Sequence, residues 1–129
     1  MVKKEIITVE DIKILVDSFY EKIREDDLLS DIFNSIIKDQ WPVHLEKMYR
    51  FWQTVLLGEH TYMGSPFAPH AKLPITKIHF ERWLKLFYQT LDEQFTGEKA
   101  KEAKWRAEKM AVMFLSKIEY YKTGNHKPI

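Results

Sequence analysis

The sequence predicts an all-α fold in one domain spanning residues 1–129. Three observations carry that expectation. Apolar residues recur at helical spacing through four separate stretches, and no stretch shows the alternation of a strand. Glycines and prolines gather between those stretches or in a first turn. A length of 129 residues, 45% hydrophobic and 14% aromatic, suits one domain and fills one core. No internal repeat, linker or low-complexity tract interrupts it.

The first helix is expected from Thr8 to about Asp26. Thr8 can cap it, and Asp11 three residues on completes a loose capping box. Ile12, Leu15, Val16, Phe19, Tyr20 and Ile23 form its apolar face, leaving Lys13, Asp17, Glu21 and Arg24 to water. The stretch from Leu28 to Asn34 reads as a tight turn plus one helical turn. A second helix is expected over Trp41–Leu57, with Pro42 in its first turn and Gly58 as its stop. Its stripe is Trp41, Leu45, Met48, Phe51, Trp52, Val55 and Leu56. Gly64, Pro66, Pro69 and Pro74 then keep the chain in a loop. A third helix opens near Thr76 and carries Phe80, Trp83, Leu84, Phe87, Tyr88, Leu91 and Phe95, until Gly97 ends it. The fourth, about Glu98 to Lys122, carries Ala103, Trp105, Met110, Met113, Phe114, Ile118 and Tyr121. The tail from Gly124 to Ile129 is expected to fray.

Composition excludes several classes of function. There is no cysteine, which removes disulfide scaffolds, thiolate nucleophiles, zinc ribbons, iron–sulfur clusters and thioether-attached haem. A metal would fall to the five histidines, the five methionines, carboxylates or tyrosines. Twenty basic residues against nineteen acidic ones leave a formal charge of +1, which gives no global field for nucleic acid. The charges of Glu98–Lys104 alternate in sign, as on a solvated helix face. Glu25-Asp26-Asp27 lacks calcium-loop spacing. No signal peptide or membrane-spanning segment is visible, so a cytoplasmic location is expected.

Among the histidines, His126 falls in the tail and His60 follows a helix stop. His79 opens the third helix, where a partly exposed first-turn residue is favoured over an inward one. His44 is different, because it lies four residues before Met48 on or beside an apolar face. A core histidine and a functional one both fit that place. His70 follows Phe67-Ala68-Pro69 in a proline-stiffened loop, suited to holding one imidazole over an aromatic core. No Glu-x-x-His or His-Glu-x-x-His pair occurs, so di-iron and zincin sites are unsupported. Gly-x-Ser-x-Gly and the glycine-rich phosphate signatures are absent as well.

Phe51-Trp52-Gln53-Thr54-Val55-Leu56-Leu57-Gly58, followed by Tyr62, Gly64, Pro66 and His70, resembles the truncated haemoglobins. The helix around Phe19-Tyr20, the Ile32-Phe33 turn and the run Phe80–Phe87 resemble them too, so the similarity covers about residues 8 to 122. The absence of Gly-Gly and the pairing of His44 with Trp83 are most similar to the third group of that family. The resemblance implies a two-over-two helical sandwich around b-type haem. Carried over position by position, it makes His70 the proximal iron ligand and His44 the distal-helix histidine. Tyr20 and Trp83 become the donors that face a bound ligand. Phe33 packs on the haem face, and Met48 lines the distal side. Phe51 is core packing that also reaches the cofactor. The departure from the family pattern is His79, an extra histidine that rivals His70 as the proximal donor.

With no thiolate available, neutral imidazole is the natural axial donor, and its other nitrogen must be held by a second group. Tyr20 O–H, Trp83 Nε1–H and His44 could then stabilise dioxygen or nitric oxide in a dry pocket. Lys47, Arg50, Lys72 and Arg82 are the candidates for the propionates. A polar pocket favours ligand activation or detoxification over storage, in the manner of a nitric oxide dioxygenase or a peroxidase, with an electron-donating reductase as partner. The rival from another class is a cofactor-free helical bundle, for phosphotransfer through a lone histidine or for partner binding.

Overall fold

The computed structural model describes residues 3–67, 70 and 73–122, and places five helices among them. The tail with His126, the candidate Lys72 and the side chain of Tyr121 lie outside the described residues.

Helix α1, Val9–Glu25, begins where the sequence caps it. The Asp11 amide donates to Thr8 Oγ1 at 3.4 Å, and the Thr8 amide donates back to the Asp11 carboxylate at 3.0 Å. The Ile7 amide and the Lys4 ammonium, 2.9 and 2.6 Å away, complete the shell around that carboxylate. Burial alone would raise the Asp11 carboxyl, but Lys4 and the two amides outweigh it and hold it at about 2.

The next segment corrects the expectation of one helical turn. Ser30–Ile37 is a helix of eight residues, α2. Its entry is set by Asp26, whose carboxylate accepts from the Leu28 and Leu29 amides at 3.0 and 3.1 Å. The helix runs on through Ile36 and Ile37 until Lys38 turns to a φ of +55°. The stabilising side chain thus sits upstream, on the end of the preceding helix. Local propensity does not reveal it.

Helix α3, Trp41–Leu57, has Pro42 in its first turn and ends at Gly58, whose φ of +69° suits glycine. Helix α4, Lys77–Gln94, is capped by Thr76, and α5 spans Glu98–Lys122. α1 packs on α3 and α4, α4 packs along α5, and α3 meets α5. That is a two-over-two sandwich of α1 and α3 against α4 and α5. An isolated bridge between Lys4 and Phe95 ties the N-terminal segment to the α4–α5 turn.

All six apolar positions expected on α1 are buried. On α3 and α4 the stripes face the core, with Trp41, Trp52, Leu56, Phe87, Leu91 and Phe95 fully inside and Leu45, Met48, Phe51, Val55, Trp83, Leu84 and Tyr88 packed at its edge. On α5 the expected face is corrected. Trp105 is 55% exposed and Met113 45% exposed. The buried face is instead Ala100, Ala103, Ala107 and Ala111, continued by Phe114 and Ile118. Small side chains let α5 approach its neighbours closely, and residues off the alanine row are turned outward. The Trp105 ring is covered there by Arg106 and Lys109, at 5.4 and 5.8 Å.

Candidate functional site

Three helices bring the distal candidates together. Tyr20, near the C-terminal end of α1, is buried, and its ring meets His44 edge-on at 5.1 Å and Phe33 at 6.1 Å. Trp41 closes the same cluster, 5.8 Å from Tyr20 and 5.7 Å from His44. It is fixed by the bond from its Nε1–H to Asn34 at 3.1 Å. Trp83 enters from α4, with Phe19 standing edge-on between it and Tyr20 at 5.4 and 5.0 Å. Met48 and Phe51 pack at the core's edge from α3.

One polar atom of this cluster is left without a partner. His44 Nε2 is buried and has no hydrogen-bond partner among the described residues. Burial pushes the His44 imidazole down to about 4, and the nearby His70 imidazole and Lys47 ammonium add to that effect. His44 is therefore neutral near pH 7, with one nitrogen free to accept or donate. Burial likewise raises the Tyr20 phenol far above its ordinary value, so it stays an O–H donor. A buried polar atom without a partner is costly, and such atoms gather where a ligand is meant to satisfy them.

His70 is built by local geometry. Its Nδ1 lies 2.7 Å from the Pro66 carbonyl four residues earlier, and its amide donates to the Phe67 carbonyl at 2.7 Å. A carbonyl can only accept, so Nδ1 carries the proton and Nε2 keeps a free lone pair. The ring rests on Phe114 at 4.9 Å. Burial lowers the His70 imidazole, partly offset by the Pro66 carbonyl. The outcome is a neutral, oriented imidazole with one donor nitrogen available. His79 is engaged otherwise, because its Nδ1 accepts from the Thr76 amide at 3.0 Å and closes the capping box of α4. Its remaining nitrogen then carries the proton and offers no lone pair.

These donors fit haem. Among the described residues no group of three or more histidines and carboxylates could hold a bare metal ion. A lone imidazole suffices only where a macrocycle supplies the other donors. His70 is such an imidazole, and the orphaned His44 Nε2 lies within electrostatic reach of it.

The bacterial-like globin family matches residues 5–116. The chain belongs to this family. It is 38% identical to a group 3 truncated hemoglobin of Campylobacter jejuni, over 96% of this chain and 99% of that protein. It also superposes on the crystal structure of a group III truncated hemoglobin from Campylobacter jejuni with a TM-score of 0.85. That match is 37% identical and covers 93% of this chain and 98% of the other. Membership in the globins implies haem and a diatomic gas as ligand, and nothing in these likenesses supports a cofactor-free bundle.

In this globin the structure gathers Tyr20, Phe33 and His44 directly, and Trp83 through Phe19. Of the four propionate candidates, Arg82 is committed elsewhere: its guanidinium lies 2.6 Å from Asp26 and ties α4 to the end of α1. Arg50 pairs with Glu46 at 3.1 Å on the exposed face of α3, and Lys47 lies beside His44. Sequence reasoning missed two contributors. Trp41, three residues before His44, stood on the α3 stripe as core filling but lines the His44 side of the cluster. Phe114, under His70, sits on a helix whose inward face is read correctly only from the alanine spacing.

Proposed function

We propose that this globin seats a b-type haem between His70 and the cluster of Tyr20, His44 and Trp83, and holds dioxygen or nitric oxide on the cluster side. The observation that carries the reading is His70, with Nδ1 at 2.7 Å from the Pro66 carbonyl and Nε2 left as a free donor. His70 would hold the iron of a bound haem, and that iron would supply the binding of a diatomic gas.

The chain's own groups do the rest. The Pro66 carbonyl fixes the tautomer and plane of His70 and strengthens it as a donor. Tyr20 O–H and Trp83 Nε1–H offer two hydrogen bonds, and His44 a third or a lone pair to receive one. Phe33, Met48 and Phe51 wall out water, which makes each of those bonds stronger than it would be in solvent. Lys47 and Arg50 are the candidates to meet the propionates. A pocket holding several donors retains a polarised ligand tightly, which suits ligand activation or detoxification better than storage. Nitric oxide dioxygenation and peroxide reduction are the reactions it serves, with electrons from a cytoplasmic reductase.

The test is a visible spectrum of the purified protein after haem addition. A Soret band saturating at one haem per chain is expected, followed by nitric oxide consumption when dioxygen and a reductant are present. A chain that develops no Soret band would sink the reading.

A further inference from the structure

An unbroken ladder of rings leads from the candidate pocket to the surface. Trp83 stacks on Phe87 with centroids 5.5 Å apart and planes within 4°. Phe87 stacks on Trp52 at 5.0 Å and 21°. Trp52 meets Phe51 edge-on at 5.3 Å, and Phe51 meets Tyr62 edge-on, again at 5.3 Å. Phe87 and Trp52 lie fully in the core, whereas Tyr62 is half-buried on the loop after α3. That loop is pinned rather than loose. The Thr61 and Tyr62 amides donate to Thr54 Oγ1 at 3.1 and 3.0 Å, and Thr61 Oγ1 donates to the Arg50 carbonyl at 3.1 Å.

We propose that Trp83, Trp52 and Tyr62 form a one-electron relay that moves an oxidising equivalent from the haem pocket to the surface during reduction of a hydroperoxide. The proposal rests on the haem reading above and adds to it an exit route. Reducing a hydroperoxide breaks the O–O bond and consumes two electrons and two protons, giving an alcohol and water, or two waters from hydrogen peroxide. A bound haem would supply one electron, and Trp83 supplies the second. Trp52 refills Trp83, and Tyr62 refills Trp52. The Tyr62 phenol then gives its proton to bulk water and is left as a phenoxyl radical. Solvent supplies the two protons consumed at the peroxide.

Physical chemistry selects this route over its neighbours. Indoles and phenols give up an electron far more readily than phenylalanine, so Phe87 and Phe51 serve as bridges between the redox-active rings. A positive charge on a buried indole is poorly solvated, which drives the vacancy onward to a half-exposed phenol whose proton water can accept. Tyr20 is nearer the pocket, but it is buried away from the bulk water that takes up a phenol's proton. Trp41 is nearer too, yet the Arg24 guanidinium lies 4.6 Å over its ring and opposes a second positive charge there. No cation is found over Trp83 or Trp52 among the described residues.

The experiment uses haem-loaded protein, with loading established by its Soret band before one equivalent of hydrogen peroxide is added. Rapid freezing and electron paramagnetic resonance, with spin-trap adducts mapped by mass spectrometry, read where the unpaired electron goes. A phenoxyl signal with the adduct on Tyr62 is expected, lost in Tyr62→Phe and lost in Trp52→Phe while the Soret band persists. Tyr62→Phe keeps the test sharp should Trp52→Phe fold poorly. Adducts on Tyr20, Tyr49 or Trp105 that survive both substitutions, or no protein radical at all, would overturn the relay and leave the haem reading standing. Failure to take up haem overturns both.

Discussion

The two walls of the candidate pocket are built in opposite ways. The distal wall is assembled from three helices, with Tyr20, His44 and Trp83 far apart in sequence and locked together by edge-on rings. The proximal wall is a loop device, in which a few residues from Pro66 to His70 set the imidazole through one carbonyl, with one ring from α5 beneath it. A ligand to a metal needs one lone pair pointed correctly, and a short stretch of backbone can arrange that. Holding a small polarised molecule needs several donors converging on one volume, which requires packing between helices.

The largest effect expected from breaking this comparison is at the proximal nitrogen. His70→Ala should lose most haem, measured as Soret absorbance per chain, and His79→Ala should retain it. The reverse pattern would transfer the proximal role to the capping histidine. Next comes the framework of the distal wall. Phe87 is completely buried and stacks between Trp83 and Trp52. Phe87→Ala should cost about 3–5 kcal/mol in urea unfolding, as for other large aromatic deletions in cores. A loss of less than about 1 kcal/mol would mean the wall is not a packed unit.

Acid should test the burial of His44 at a smaller scale. The ordinary imidazole value is 6.5 and His44 is held at about 4, so the unfolded chain binds more protons between those values. Stability should therefore fall as pH drops through that window, read as a falling melting temperature, and His44→Phe should flatten the slope. An unchanged slope would show that His44 is not buried as described. The smallest effect concerns single donors. Tyr20→Phe or Trp83→Phe should speed dioxygen dissociation by more than about tenfold, or ~1.4 kcal/mol for one strong hydrogen bond. Unchanged rates in both would assign retention to the apolar walls.

Much of this was legible in the chain itself, for reasons that are local. The capping box of Thr8 and Asp11, the stop at Gly58 and the apolar faces of α1, α3 and α4 depend on residues within a few positions of one another. Helical periodicity and glycine's freedom at positive φ act at that range. His70 stood out because the stretch from Phe51 to His70 resembles a family pattern in order and spacing. Periodicity alone placed Tyr20, His44 and Trp83 on apolar faces, where core residue and pocket wall look the same.

Sequence by itself thus determined the helices, most of their inward faces and the one imidazole held by its own loop. Tertiary structure decided what depends on distant partners. The turn into α2 is held by Asp26, on the end of α1, which accepts from the Leu28 and Leu29 amides. Arg82 is occupied because the same carboxylate lies 2.6 Å away. Trp105 faces water because α5 buries its alanine row. The ladder from Trp83 to Tyr62 exists only because Trp52 of α3 stacks on Phe87 of α4 across the core. Local rules act over one or two turns of helix, whereas the choice of which face, which partner and which ring meets another belongs to packing across the core.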